Sequence, residues 1–163
     1  MAEETEEEKR HRLIKSYRAD LPHYNGQIST SEGKLKKYAE DYEKYVNALE
    51  QIGTAATGVG EGQGEIQKGK ESLSSCAGGN KYGEASGAIS MVASMFGMVV
   101  SSGIGSIIKY IQTDMLLLNE KYVGEYPKYT KAIEGYNKVA AKIRHLGASC
   151  PDKEQTITKS SLL

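Results

Sequence analysis

LKKYAEDYEKYVNALEQI, residues 35 to 52, is the stretch that decides the fold of this chain. Its apolar side chains fall at Leu35, Tyr38, Tyr42, Tyr45, Leu49 and Ile52, alternately three and four residues apart. That spacing lines one face of an α-helix with a heptad seam. The positions between them, including Lys36, Lys37, Glu40, Asp41, Glu43 and Lys44, form a solvated face of mixed charge. The same three-four spacing returns from Tyr129 to Ile143, which predicts an all-α fold class without a sheet.

Working outward, Ser29 and Glu32 form a capping-box pattern that predicts a helix over about 29–52. Pro22 predicts the end of a shorter helix over about 3–19, whose Glu-rich start suits the positive end of the helix dipole. Its Leu13, Ile14, Tyr17 and Leu21 share one face. Beyond Ile52 the composition changes to GTAATGVGEGQGEIQKGKESLSSCAGGNKYGEASG, with a glycine every three or four residues. A glycine inside a helix costs about 1 kcal/mol against alanine, which predicts a hinge over 53–83 with a loop near Cys76 to Gly83.

Between Glu84 and Lys109 the run ASGAISMVASMFGMVVSSGIGSII, residues 85–108, carries no charge. It is long enough to cross a bilayer, for which about 20 residues suffice. Small residues recur every fourth position in two rows, Ser86, Ser90 and Ser94, and Gly97, Ser101 and Gly105, beside the large apolar Phe96. Such rows let helix backbones approach closely, in lipid or in protein. Three readings follow: the buried central helix of a soluble bundle, a helix that enters lipid conditionally, and a permanent span. The serine hydroxyls weigh against the last, because each must find a partner inside lipid.

The apolar pattern continues to Asn119, giving an expected helix over 84–119, and Gly124 with Pro127 predicts a break. A last helix is expected over 127–146, with Tyr129, Ile133, Tyr136, Ala140 and Ile143 on one stripe and Gly147 as its stop. The tail 148–163 has no periodicity and should be mobile unless a partner holds it. The expected architecture is a single domain over 1–147, an elongated bundle or helical hairpin of about four helices with one apolar central helix.

Composition narrows the function. Lys plus Arg and Asp plus Glu number 21 each, so no whole-protein field attracts a polyanion, and nucleic acid is not expected as a partner. There is no Trp and one Phe, yet 11 Tyr bring hydroxyls that need water or a partner. Cys76 and Cys150 form no disulfide framework or Cys-x-x-Cys pair, and the helix lengths predict that they do not bridge within one chain. His11, His23 and His145 sit in polar contexts without a spaced second ligand. Gly64 to Glu71 imitates a phosphate-binding loop but puts Glu71 where a magnesium-binding hydroxyl belongs. No catalytic, cofactor-binding or metal residue is proposed, and an enzyme is not expected. The start MAEETEEEKRHR lacks the apolar core of a signal peptide, which predicts a cytoplasmic product with membrane association or signal-less secretion open to it.

The functional expectation is an interaction or scaffold protein that docks a protein partner, or a copy of itself, through the small-residue helix. The alternative is a membrane-active helical protein that releases residues 85–108 into lipid. Two long helices joined through a Gly-containing turn resemble in outline the small helical-hairpin proteins of type VII secretion, including partners of larger toxins. Their Trp-x-Gly turn is missing here, and the Tyr-xxx-Asp string Tyr110 to Asp114 lies inside the apolar helix. That resemblance implies a hairpin partner of such a secretion system as a further alternative. An uncharged Ser/Gly/Met-rich segment between amphipathic helices is likewise similar in outline to pore-forming and translocator proteins.

Overall fold

The structure, a computed structural model, describes residues 4–75 and 80–158, with the side chains of residues 70, 73–75, 80–86 and 88 left outside the description. The chain is all-helical among the described residues and consists of two long helices that pack against each other, α1 (Glu6–Ser75) and α2 (Asn80–His145). It resolves into two compact units, one of Met1–Tyr42 with Leu117–Leu163, the other of Glu43–Leu116.

Two helices thus replace the four expected. The capping box sits at Thr5 and Glu8, where the Glu8 amide donates to Thr5 Oγ1 (3.2 Å) and the Thr5 amide donates back to Glu8 Oε2 (2.8 Å). The Thr5 amide and the Thr5 hydroxyl, which donates to the same Glu8 Oε2 (2.9 Å), hold the Glu8 carboxyl below its ordinary value. Ser29 and Glu32 lie well inside α1. Pro22 and Pro127 do not stop the helices. Each prolyl ring removes one backbone donor, from the carbonyls of Arg18 and Val123, and both of these residues are exposed, so water can satisfy the orphaned oxygens. Seam residues on either side, Leu21 with Tyr24 and Tyr126 with Tyr129, join the core and carry the helix through. The Gly-rich stretch is helical from Gly53 to Ser75, and the expected loop at Cys76 falls on residues outside the description.

In the first unit the α1 seam continues backward from Leu35 through Ser31, Ile28, Tyr24, Leu21 and Tyr17, the same alternation of three and four. With Tyr122, Tyr129, Ala132, Ile133, Tyr136, Val139, Ala140 and Ile143 from α2 it forms the core. Leu35, Ala140 and Ile143 are fully buried. One polar layer interrupts it: the buried Glu125 accepts hydrogen bonds from Ser31 Oγ (2.8 Å), Lys128 Nζ (3.1 Å) and Lys34 Nζ (3.4 Å). Burial pushes this carboxyl up, but the hydrogen bonds from Ser31, Lys128 and Lys34 outweigh it and leave it below the ordinary value of 4.5. A carboxylate held below its unfolded value stabilises the fold above pH 4.5, and that contribution is lost as pH falls through the lower folded value. Glu125→Gln is therefore expected to melt below wild type near pH 7, with the deficit shrinking at an acid pH below 4.5. Paired melting curves followed by circular dichroism check this, and an equal deficit at both pH values would contradict it.

Gly147 ends α2 as expected, with φ at 82°. Its amide bonds the Arg144 carbonyl (2.8 Å) and the Ala148 amide bonds that of Ile143 (3.2 Å), a Schellman closure. Gly147→Ala is expected to cost about 1–2 kcal/mol, because an L side chain is strained there. The new methyl would also meet the Arg10 guanidinium, which donates to the Leu146 carbonyl. A melting temperature equal to wild type would show that the helix end has another way to close.

After that turn, residues 148–158 lie back along α2 as a strap. Arg144 grips Asp152 with both terminal nitrogens (2.9 and 3.2 Å) and bonds the Cys150 carbonyl (2.7 Å). Asn137 accepts from the Lys153 amide (2.7 Å) and donates to its carbonyl (3.1 Å), replacing a backbone strand partner. The tyrosine hydroxyls find partners here, Tyr129 with the Thr156 amide and hydroxyl (3.0 Å each) and Tyr122 with the Thr158 carbonyl (3.0 Å). The tail was expected to need a partner to hold it, and for these residues the chain's own α2 is that holder.

Candidate association surface

In the second unit the α1 seam runs on past Tyr45, Leu49 and Ile52 in unchanged phase to Ala56, Val59 and Gln63, all half-buried. The matching half-buried positions of α2 are Ala93, Gly97, Val100, Ile104, Ile108, Ile111 and Met115. The two helices run antiparallel, Tyr45 Oη donating to Asp114 Oδ2 (3.0 Å) and the Gln63 amide lying over Gly97. This uses one stripe of α2 and leaves the others open.

Among them is a cluster of large apolar side chains. Met91, Val92, Met95, Phe96, Met98 and Val99 are between 53 and 71 % exposed. Ile107, Tyr110 and Leu116 continue the exposed set toward the end of this unit. Of the 18 most apolar consecutive residues of α2, none is buried. In this chain α1 thus covers only one side of the uncharged part of α2, and the soluble and lipid readings of that segment both stay open. Monomeric proteins expose single apolar residues routinely, whereas a contiguous cluster of six large ones is uncommon on them.

The predicted small-residue rows divide. Gly97, Gly105 and Ser90 are half-buried on the α1 side, while Ser94 and Ser101 are exposed. The side chain of Ser86 lies outside the described residues. A Cβ on Gly97 would meet the end of the flexible Gln63 side chain, and one on Gly105 would meet nothing within 4 Å. Gly97 therefore makes room for a side chain, and the row is not a crossing of two backbones within this unit. Phe96 belongs to the outward face. Ser106 Oγ donates to the Ser102 carbonyl (3.0 Å) and Thr113 Oγ1 to that of Lys109 (2.9 Å), so these hydroxyls are satisfied inside their own helix.

The opposite face of the unit is polar. Glu61, Glu65 and Lys68 are exposed on α1, with Lys68 paired to Glu65 (2.7 Å). Over Glu43–Leu116 five lysines stand against seven carboxylates. The string that imitates a phosphate-binding loop is helix, so its backbone amides are committed to helical hydrogen bonds. Among the described residues no three His, Cys, Asp or Glu side chains gather as metal ligands. Cys150 is a buried free thiol, and its expected lack of a bridge to Cys76 falls on a residue outside the description.

Sequence reasoning missed the seam beyond Ile52, the Glu125 layer and the strap. The phase of Ala56, Val59 and Gln63 was the available signal for the first of these. No family model, curated protein or solved structure matches the chain.

Proposed function

We propose that this chain is a non-catalytic association protein in which the α2 face around Met95 and Val99 is covered by a second copy of the same chain. One observation carries the reading: six neighbouring large apolar side chains stand exposed on α2 while the helix behind them is polar. Two copies facing each other through this surface bury both clusters and keep Glu61, Glu65 and Lys68 in water. The methionines suit such a contact, because their unbranched side chains repack to fit a facing helix.

Lipid is the second reading, favoured by the uncharged run 85–108, which spans roughly 36 Å against a hydrocarbon core of about 30 Å. It requires α2 to leave α1, since a closed pair would carry the α1 charges into the bilayer at several kcal/mol. The excess of carboxylates over lysines in this unit offers no attraction to anionic headgroups.

Light scattering on detergent-free protein, paired with flotation on phosphatidylcholine vesicles, separates the readings. Twice the 17.8 kDa chain mass, with protein remaining at the bottom of the gradient, is expected. A monomer that floats would replace association with insertion, and a monomer that does not float would assign the face to a different protein.

A further inference from the structure

The helix pair of the first unit has two flanks, and the strap occupies one of them. The other is an open groove of about 1000 Å³ between α1 and α2, and none of its lining residues belongs to the strap or hydrogen-bonds to it. Along α1 its wall carries His23, Gln27, Thr30 and Lys34, and along α2 it carries Lys128, Lys131 and Lys138. Both walls follow helical spacing, so the groove runs parallel to the helices for roughly 15 Å, about three turns.

Its floor is apolar beside the buried Ser31 and Glu125 pair. The Tyr24 ring packs on Gly135, where a Cβ would lie 2.3 Å from Tyr24 Cε1, and the exposed Pro22 also lines the groove. The rim is cationic. Lys34 and Lys128 are engaged by the buried Glu125, whereas Lys131 and Lys138 have no ion-pair partner among the described residues. Glu134 is the remaining carboxylate of the lining. Lys131 and Lys138 are seven residues apart, the heptad repeat of a facing helix.

We propose that this groove receives an acidic amphipathic helix from a partner protein. Its apolar stripe would lie on Pro22, Tyr24 and Gly135, completing a three-helix arrangement, and its carboxylates would pair with Lys131 and Lys138. The opposite flank supplies the precedent within the chain, where Asp152 is anchored on Arg144 of α2. This surface lies in a different unit from the Met95 face, and neither proposal depends on the other.

The test uses the full chain and a labelled synthetic peptide of about 14 leucines and glutamates at helical spacing, with a leucine–lysine counterpart and a single-stranded RNA oligomer as alternatives. Fluorescence anisotropy is expected to give saturable binding of the acidic peptide alone. Lys131→Glu with Lys138→Glu should weaken it on the order of tenfold or more while the circular dichroism spectrum stays helical. Lys37→Glu, which reverses an exposed lysine outside the groove, should leave it unchanged. Binding that ignores the double reversal, responds equally to Lys37→Glu, or prefers the lysine peptide or the RNA would overturn the assignment.

Discussion

Replacing Gly58, Gly60, Gly62 and Gly64 together by alanine is expected to raise the melting temperature on the order of 10 °C. All four lie inside α1 with helical backbone angles, and a Cβ at each would meet nothing within 4 Å. The methyl groups therefore enter open space, and each substitution removes the entropy that glycine keeps in the unfolded chain. At about 0.5–1 kcal/mol per site the sum is roughly 2–4 kcal/mol. For a chain of this length each kcal/mol moves the midpoint by about 2–4 °C. Thermal unfolding followed at the helical circular dichroism band reads the effect. A fall instead of a rise would mean that another molecule packs on this glycine-dense face, which would place the association surface on α1.

The second large effect is expected from Met95→Glu. In a single chain Met95 is 59 % exposed, so the folded monomer tolerates a carboxylate there. Between two facing copies the same substitution buries two like charges without partners, a cost of at least about 3 kcal/mol, or on the order of a hundredfold in dissociation constant. Light scattering is expected to report a helical monomer where wild type is a dimer. An unchanged mass would remove this face from the interface. If the variant were monomeric and wild type floated with vesicles, the surface would belong to lipid.

Much of the helical content was legible in the pattern from Leu35 to Ile52 and in the stripe from Tyr129 to Ile143, because apolar residues at heptad spacing have few other ways to be buried. The helix count was not legible, for two physical reasons. Pro22 and Pro127 read as stops, yet they fall on exposed positions beside core residues, where packing outweighs one lost hydrogen bond. The stretch after Gly53 reads as a hinge on propensity alone, yet Ala56, Val59 and Gln63 hold the seam in phase and α2 supplies the apolar surface against which they order. The strap had no periodic signature, because it is held by side-chain bonds from Asn137, Arg144, Tyr122 and Tyr129 to backbone groups. The candidate surface was half legible. The uncharged run marked the helix, but which of its stripes meets α1 depends on the register of two helices, and that places Gly97 inward and Phe96 outward.

Peroxide footprinting of the methionines reads the outward face itself and so tests the central claim most directly. Met91, Met95 and Met98 are exposed in a single chain, while Met115 is half-buried against α1. If a second copy covers α2, sulfoxide formation at the first three, measured peptide by peptide, should be slow in concentrated protein and speed up on dilution below the dissociation constant, with Met115 changing little. Fast oxidation of Met91, Met95 and Met98 at every concentration in the absence of lipid would contradict the account.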